Sequence, residues 1–195
     1  YRRQRQMCIR DSSMRPKSFD DIVGQEHLVG KNGVIKKMID AKQLFSFILY
    51  GEPGCGKTTI ALATCEQSKL NYFKFNASID NKDTLKQIIN ETRFLNDAII
   101  IVDEIHRMKK DIQDFLLPYV EDGTLIMIGL TTVNPYHSVN PAIRSRCHIY
   151  KLNPLTKENM LQVLKRAETF IDKKLEIDDN AYEYIIDTSN LEIRT

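Results

Sequence analysis

Short apolar runs alternate with amphipathic stretches along most of the chain. Five runs predict β-strands: residues 47–50, 72–75, 98–102, 125–130 and a last one near 148–152. Three stretches between them have the apolar spacing of helices: residues 58–67, 83–94 and 111–120. The run at 98–102 is apolar throughout, which is typical of a strand covered on both faces. The alternation therefore predicts βαβ units, a parallel central sheet and an α/β three-layer sandwich.

After residue 153 the pattern changes, and only helices are predicted. Thr156 is a suitable N-cap for a helix that runs to about Ile171. Asp178 is a suitable N-cap for a second helix over residues 179–188. A third helix begins near the last residues, so we expect the helical part to be truncated. The chain is thus predicted to contain an α/β domain followed by an all-helical domain: residues 14–153 and 154–195.

The first thirteen residues carry four arginines and one aspartate and have no apolar periodicity. Two interpretations are open, a basic arm for nucleic acid or a non-native, disordered leader. The stretch Met7–Asp11 resembles the translation of a transposon end used in preparing sequencing libraries, which favours the leader. Without residues 1–13 the formal net charge falls from +2 to about −1. The charge of the chain therefore gives no argument for DNA binding.

Two features of the whole chain bear on its cellular setting. No apolar run approaches the roughly 20 residues that a membrane-spanning helix needs. The four cysteines, Cys8, Cys55, Cys65 and Cys147, form no C-x-x-C pair, and reduced thiols are their simplest interpretation. We therefore expect a cytoplasmic location and no membrane partner.

A glycine-rich loop follows the first predicted strand. Residues 51–58 match the pattern G-x-x-x-x-G-K-[ST] in full, between a strand and a helix. In this pattern backbone N–H groups converge on phosphates, Lys57 reaches the β- and γ-phosphates, and the Thr58 hydroxyl holds Mg²⁺. Cys55 is either a reactive thiol or a tolerated small residue. The loop predicts binding of ATP through the following residues: Gly51, Glu52, Pro53, Gly54, Cys55, Gly56, Lys57, Thr58 and Thr59.

Two carboxylates end the third predicted strand. The strand delivers Asp103 to the carboxyl edge of the sheet, where ligands of open α/β folds bind. There Asp103 would join Thr58 as a Mg²⁺ ligand, and Glu104 would polarise the attacking water. The alternative is a pair of solvated carboxylates that opens a loop. His106 has no partners at metal-ligand spacing, so we expect it to pack in the loop near the site.

Two polar positions near later strands fit the same chemistry in combination. Asn134 follows the strand at 125–130, where its amide would sense the γ-phosphate and orient water, although Asn134-Pro135 is also a common turn. Arg146 precedes the last strand. A guanidinium offered there to a neighbouring subunit is an arginine finger, worth on the order of 10³–10⁵ in rate. A solvated basic turn is the alternative. The predicted catalytic residues are therefore Lys57, Asp103, Glu104, Asn134 and Arg146.

With these motifs in place, the chain resembles the replication-associated recombination protein A (RarA) family, within the clamp-loader clade of AAA+ ATPases. The resemblance is carried by the opening segment at residues 14–28, by residues 104–107 with 113–123, and by residues 131–136 with 140–146. Clamp-loader subunits share the outline but lack the combination of H-R with a following Q-D-x-x-L-P-x-x-E-D-G, which this chain has at residues 106–107 and 113–123. Glu52 and Cys55 stand where the family usually has Pro and Thr.

The resemblance implies an AAA+ domain with a helical lid and adds site residues. By this similarity Ile22, Val23 and Gly24 would line the adenine pocket, Asn134 would be sensor 1 and Arg146 the arginine finger. Residues 189–194 fall where the family has S-N-G-D-x-R, which would make Arg194 the sensor 2 arginine. Leu191 and Glu192 replace the Gly and Asp of that motif.

The resemblance also implies a function. RarA-like proteins are DNA-dependent ATPases that remodel DNA at stalled replication forks, in replication, recombination and repair. The implied partners are single-stranded or forked DNA, further copies of the chain and single-stranded-DNA-binding protein, in the nucleoid of a bacterial cytoplasm. Alternatives are a clamp-loader subunit, a Holliday-junction motor and an ATP-binding assembly scaffold. The intact Asp103-Glu104 pair argues against a purely structural scaffold.

Overall fold

A computed structural model describes residues 18–95, 97–169 and 179–189. Its centre is a sheet of five parallel strands in the order β2-β3-β4-β1-β5. The strand bounds are β1 Phe47–Tyr50, β2 Asn71–Asn76, β3 Ala98–Asp103, β4 Leu125–Thr131 and β5 His148–Lys151. All five strands lie within about a residue of their predicted bounds, and the parallel sheet is confirmed.

Helices connect the strands and flank the sheet. In chain order they are α1 Glu26–Val29, α2 Val34–Asp40, α3 Lys57–Ser68, α4 Lys82–Thr92, α5 Lys110–Glu121, α6 Pro135–Ser138, α7 Pro141–Arg144, α8 Lys157–Thr169 and α9 Asp179–Thr188. Two 3₁₀ turns lie at Phe19–Asp21 and Ile105–Arg107. The short helices α1, α2, α6 and α7 were not predicted, because elements of four to seven residues have too few positions to show a helical period.

The core has two layers, one on each face of the sheet. Along β3, Ile100 and Val102 pack with α4 and α5 on one face, while Ile99 and Ile101 pack with α2 and α3 on the other. This explains why the β3 sequence is apolar at successive positions. The predicted apolar face of α4 is confirmed, because its four members are buried: Leu85, Ile88, Ile89 and Thr92. The three-layer α/β sandwich is therefore confirmed.

The two last described helices, α8 and α9, pack on each other. Leu155, Met160 and Ile186 form a small buried cluster between them. Thr156 caps α8 as predicted: its hydroxyl accepts from Asn159 N at 3.3 Å, and Asn159 Oδ1 accepts from Thr156 N at 3.1 Å. The predicted cap Asp178, the helix end near residue 171 and the leader 1–13 lie outside the described residues. The division at residue 154 stays a prediction.

Candidate nucleotide site

The glycine-rich loop connects β1 to α3. Gly54 and Gly56 have φ of 73° and 99°, a left-handed backbone region that residues with a Cβ seldom adopt. A Cβ on Gly56 would meet no atom within 4 Å, so its backbone conformation, not crowding, requires glycine. Helix α3 begins directly after the loop at Lys57. The loop therefore presents bare backbone in front of a helix N-terminus, an arrangement that suits phosphate.

Lys57 turns back onto the loop that precedes it. Its Nζ donates to the backbone oxygen of Gly51 at 2.8 Å and of Glu52 at 2.6 Å. A phosphate group entering the loop would therefore compete with two carbonyl oxygens for this ammonium group. The predicted binding residues around it differ in exposure: Glu52 and Pro53 are exposed, while Thr58 and Thr59 are half-buried in the first turn of α3.

Cys55 points away from solvent, with 3% of its surface exposed. Burial raises the pKa of its thiol, and the nearby ammonium of Lys57 opposes that rise only in part. A buried thiol with a raised pKa is a poor nucleophile near neutral pH. The environment of Cys55 thus favours a small structural residue over a reactive thiol.

Gln25 is a site residue that was not predicted. It is fully buried, and its Nε2 donates to Asn153 O at 2.8 Å and to Cys55 O at 3.4 Å. Its Oε1 accepts from Asn153 N at 3.0 Å. Gln25 therefore joins the N-terminal segment, the glycine-rich loop and the exit from β5. A single glutamine in a segment without periodicity carries no pattern from which this role could be predicted.

The two carboxylates lie where β3 ends. Asp103 is the last residue of the strand, and its Oδ1 accepts from Glu104 N at 3.0 Å. Glu104 has φ 54° and ψ 41°, the left-handed conformation, which costs a residue with a Cβ roughly 1–2 kcal/mol. The surrounding contacts must maintain this bend, which leads the chain into the 3₁₀ turn at Ile105–Arg107.

Two basic side chains approach the Glu104 carboxylate. His106 Nε2 lies 3.3 Å and Arg107 Nε 3.5 Å from Glu104 Oε2. Only 16% of the His106 side chain is exposed, against 62% for Arg107, so His106 is the better ordered partner. Its Nδ1 lies 2.9 Å from the hydroxyl of Thr131, the last residue of β4. A contact chain thus links the ends of β3 and β4, with His106 near the site as expected.

The same turn is held against the sheet through a glycine. Ile105 is fully buried, and a Cβ built on Gly129 of β4 would lie 3.0 Å from Ile105 Cδ1 and 3.2 Å from Ile48 Cγ1. A side chain at Gly129 would crowd both isoleucines. The missing side chain therefore lets the turn after Glu104 rest closely on β4.

The parallel sheet brings the predicted pieces to one edge. Tyr50, which leads into the glycine-rich loop, pairs with Thr131, and β4 separates β1 from β3. The loop after β1, the carboxylates after β3 and the end of β4 therefore share the carboxyl edge. Asn134 follows this edge and is exposed, and its Oδ1 accepts from Tyr136 N at 3.0 Å as the N-cap of α6. In this structure its amide oxygen belongs to the turn.

Arg146 lies beside the amino ends of the strands, opposite to the carboxyl ends where the glycine-rich loop and the carboxylates lie. It precedes β5, whose first residue His148 pairs with Phe47, the first residue of β1. The glycine-rich loop leaves the other end of β1, about 10 Å further along at roughly 3.3 Å per residue. Arg146 donates to Ala142 O at 2.9 Å and forms an ion pair with Glu121 at the end of α5. This position suits a site on another molecule better than the site of its own chain.

Helix α8 covers the segment predicted to line the adenine pocket. Ile22 and Val23 are half-buried there, and a Cβ on Gly24 would lie 2.8 Å from Asn159 Oδ1. Arg166 of α8 donates to the backbone oxygen of Asp21 at 2.7 Å and lies 2.9 Å from its carboxylate. The segment and α8 are thus in direct contact, and Gln25, which follows Gly24, connects this segment to the glycine-rich loop. The predicted sensor Arg194 lies outside the described residues.

The described residues also bear on metal binding, membrane insertion and the state of the cysteines. Within residues 18–95, 97–169 and 179–189, no three His, Cys, Asp or Glu side chains cluster as a metal site. In the same part of the chain, no helix has the length and apolar character to cross a membrane. The described cysteines Cys55, Cys65 and Cys147 are free thiols, and burial raises the pKa of Cys65 and Cys147 to about 12.

This fold and loop define a nucleotide-binding domain of the P-loop class, and a comparison with known families specifies it further. The family described as ATPase family associated with various cellular activities (AAA) matches residues 47–155, more than half of the chain. The chain therefore belongs to the AAA family. Membership implies nucleotide binding, which is the basis of the predicted ATP site.

Individual relatives agree with the predicted resemblance. Replication-associated recombination protein A of Bacillus subtilis is 47% identical over 176 residues, which cover 88% of this chain and 42% of that protein. ATPase WRNIP1 of Dictyostelium discoideum is 38% identical over 189 residues, 93% of this chain and 22% of that protein. The chain thus spans about two fifths and about a fifth of the lengths of these relatives. The predicted resemblance to the RarA family is confirmed.

Solved structures show the same architecture. RuvB of Thermotoga maritima, described as a Holliday junction branch migration motor, superposes with a TM-score of 0.76. It is 28% identical, and the match covers 93% of this chain and 62% of that one. The predicted AAA+ fold class is therefore confirmed.

Proposed function

We propose that this protein is a DNA-dependent ATPase of the RarA type, which couples ATP hydrolysis to DNA remodelling at stalled replication forks. The observation that carries this proposal is the placement of a lysine and two carboxylates at one end of the parallel strands and of an arginine at the other end. Lys57, Asp103 and Glu104 lie at the carboxyl edge, and Arg146 lies beside the amino end of β5. The 47% identity to the B. subtilis protein supports the choice within the AAA family.

In the proposed reaction the loop binds the phosphates, Asp103 helps to hold the metal ion, and Glu104 acts on the attacking water. Lys57 exchanges its two carbonyl partners for phosphate oxygens, at the N-terminus of α3. Thr58 and Asp103 offer a hydroxyl and a carboxylate, a donor set that fits Mg²⁺. When bound, Mg²⁺ would neutralise charge that develops on the phosphate oxygens. Glu104 accepts a proton from the attacking water, and Asn134 orients that water as sensor 1.

Arg146 acts on a neighbouring subunit in this proposal. Its place at the amino edge, about 10 Å of strand away from its own loop, supports action in trans. The protein would then be a homo-oligomer, in which each site is completed by the next chain. Adenine would bind between the segment Ile22, Val23 and Gly24 and helix α8, and Arg194 would report the nucleotide to the helical lid.

The DNA partner is proposed from the relatives. Single-stranded or forked DNA and single-stranded-DNA-binding protein are the proposed partners, and the nucleoid of the cytoplasm is the proposed location. A second candidate is a motor that acts on Holliday junctions, which the likeness to T. maritima RuvB favours. A clamp-loader subunit would instead bind a sliding clamp, and a pure assembly scaffold would bind ATP without turnover.

The test is the ATPase rate of the full-length protein with forked, single-stranded and four-way-junction DNA, and without DNA. We expect stimulation by forked or single-stranded DNA that is lost in Arg146→Ala. Stimulation confined to the four-way junction would support the second candidate, and stimulation by a sliding clamp the clamp-loader alternative. Tight ATP binding with a rate that no DNA changes would overturn the proposal in favour of a scaffold.

A further inference from the structure

The contacts of His106 suggest a role that the proposed reaction does not include. His106 lies in the 3₁₀ turn directly after Glu104, and its side chain is largely buried. Nε2 faces Glu104 Oε2 at 3.3 Å, and Nδ1 faces Thr131 Oγ1 at 2.9 Å. Both ring nitrogens are therefore engaged, one with Glu104, which directly follows β3, and the other with Thr131, the last residue of β4.

The Glu104 carboxylate decides which ring nitrogen of a neutral His106 carries the proton, because an ionised carboxylate can only accept hydrogen bonds. A proton on Nε2 donates to Glu104 Oε2, 3.3 Å away. Nδ1 then accepts from the Thr131 hydroxyl at 2.9 Å, and that hydroxyl in turn accepts from Val133 N at 3.2 Å. The opposite tautomer of a neutral ring would set a lone pair of Nε2 against Glu104 Oε2.

The backbone of Glu104 does not by itself set the direction of its carboxylate, so a side-chain partner is needed. Its left-handed conformation at φ 54° fixes where the side chain starts but not the direction of the carboxylate. Arg107 is mostly exposed and 3.5 Å away, so it restrains that direction weakly. His106 is packed in place, and Thr131, which is 1% exposed, anchors its far nitrogen. The carboxylate is thus held relative to the end of β4.

We propose that His106 is a positioning residue, which holds the Glu104 carboxylate in a fixed relation to the end of β4 through Thr131. This inference rests on the proposed role of Glu104 in activating water. Strand β4 lies between β1, which leads into the glycine-rich loop, and β3, which leads into the carboxylates. A carboxylate fixed to the end of β4 is therefore also fixed relative to the loop. His106 needs no contact with nucleotide to perform this role.

The test compares three substitutions of His106 in the full-length protein. His106→Ala removes both contacts, His106→Asn reaches only the Nδ1 position, and His106→Gln can place a donor near the Nε2 position. We expect kcat to fall about tenfold or more in the Ala and Asn variants, to recover within about threefold of wild type in the Gln variant, and the nucleotide Kd to stay unchanged in all three. His137→Ala, a substitution at an exposed histidine of α6, is the matched control with unchanged kcat.

A double variant separates positioning from a general packing effect. In the Glu104→Gln background, His106→Ala should cause no further loss of turnover, because the group it positions is gone. Equal kcat in wild type and His106→Ala, or equal losses in the Asn and Gln variants, would overturn the inference. If Glu104→Gln itself turns over normally, the proposed role of Glu104 fails instead. The melting temperature of each variant shows whether it is folded.

Discussion

Arg146 forms an ion pair with Glu121 of its own chain, between Arg146 Nη2 and Glu121 Oε1. Both side chains are 39% exposed, so the pair contributes no more than about 1 kcal/mol and exchanges readily for another anion. Arg146 also donates to the Ser145 hydroxyl at 2.8 Å. These contacts hold an arginine ready at the amino edge of the sheet, away from its own glycine-rich loop.

Arg146→Ala should leave folding and ATP binding intact but lower turnover by on the order of 10³-fold, because each site loses the charge supplied by its neighbour. The measurement is steady-state ATPase rate together with nucleotide Kd. Mixing Arg146→Ala subunits with Glu104→Gln subunits should restore part of the rate, since the second variant still supplies the arginine. Failure of this mixture, with mixed oligomers confirmed, would contradict action in trans. Glu121→Gln is the control for loss of the pair within the chain.

Lys57→Ala should abolish measurable ATP binding. The substitution removes the ammonium that would meet the phosphates and leaves the oxygens of Gly51 and Glu52 without their donor. Fluorescent-nucleotide titration measures the loss. Lys69→Gly, at the other end of α3, removes the same charge from an exposed position and should bind normally. Equal weakening in both variants would mean that overall charge, not the loop contact, governs binding.

Glu104→Gln should bind ATP as the wild type does and lose turnover by about 10²-fold or more. Glutamine keeps the shape of the side chain but cannot accept a proton from water. Single-turnover hydrolysis is the appropriate measurement, because it separates the chemical step from product release. A normal rate in this variant would rule out the water-activating role of Glu104.

Gly24→Ala should weaken both folding and nucleotide binding. The added Cβ meets Asn159 within 2.8 Å and adopts φ of 77°, a conformation that costs roughly 1–2 kcal/mol. Gly123 has nearly the same φ, 78°, with no atom within 4 Å of an added Cβ. Gly123→Ala is therefore the matched control: it has the same backbone strain without the clash, so we expect a smaller loss of stability against denaturant and an unchanged Kd for ATP. A normal Kd in Gly24→Ala would separate this segment from the nucleotide.

Cys55 should react slowly with thiol reagents at neutral pH, although it lies in a phosphate-binding type of loop. Burial raises the pKa of its thiol, so the reactive thiolate is scarce at neutral pH. Cys65 and Cys147, with pKa values of about 12, should react even less. Labelling followed by mass spectrometry in a Cys8→Ser chain measures each site. Rapid labelling of Cys55 at pH 7 would show that the loop opens often.

The elements that the sequence predicted are those with a strong local signal. The apolar run of β3, the amphipathic face of α4 and the Thr156 cap each depend on neighbours within a few positions, and each is confirmed. The glycine-rich loop and the carboxylate pair could be found because their chemistry fixes their spacing. Their placement at one edge followed from the parallel sheet.

Contacts between distant segments had no such signal. Gln25 binds Asn153, 128 positions away. Glu121 and Arg146 form their ion pair although β4, α6 and α7 lie between them along the chain. The link from His106 to Thr131 depends on the order of strands, which a single sequence does not encode locally. Asn134 shows a further limit, because one amide suits both a helix cap and a nucleotide sensor.

A substitution at Gly129 would be difficult to distinguish from one in the nucleotide site. It lies in the buried middle of the sheet, yet the space it leaves is what seats the turn that follows Glu104. A methyl group added there would push first on Ile105 and then on the segment bearing the proposed base. In an activity screen, Gly129→Ala would lower turnover as an active-site substitution does, although none of the residues proposed to bind ATP had been changed. A change in core packing at Gly129 would therefore also change the position of Glu104 and, with it, the rate of hydrolysis.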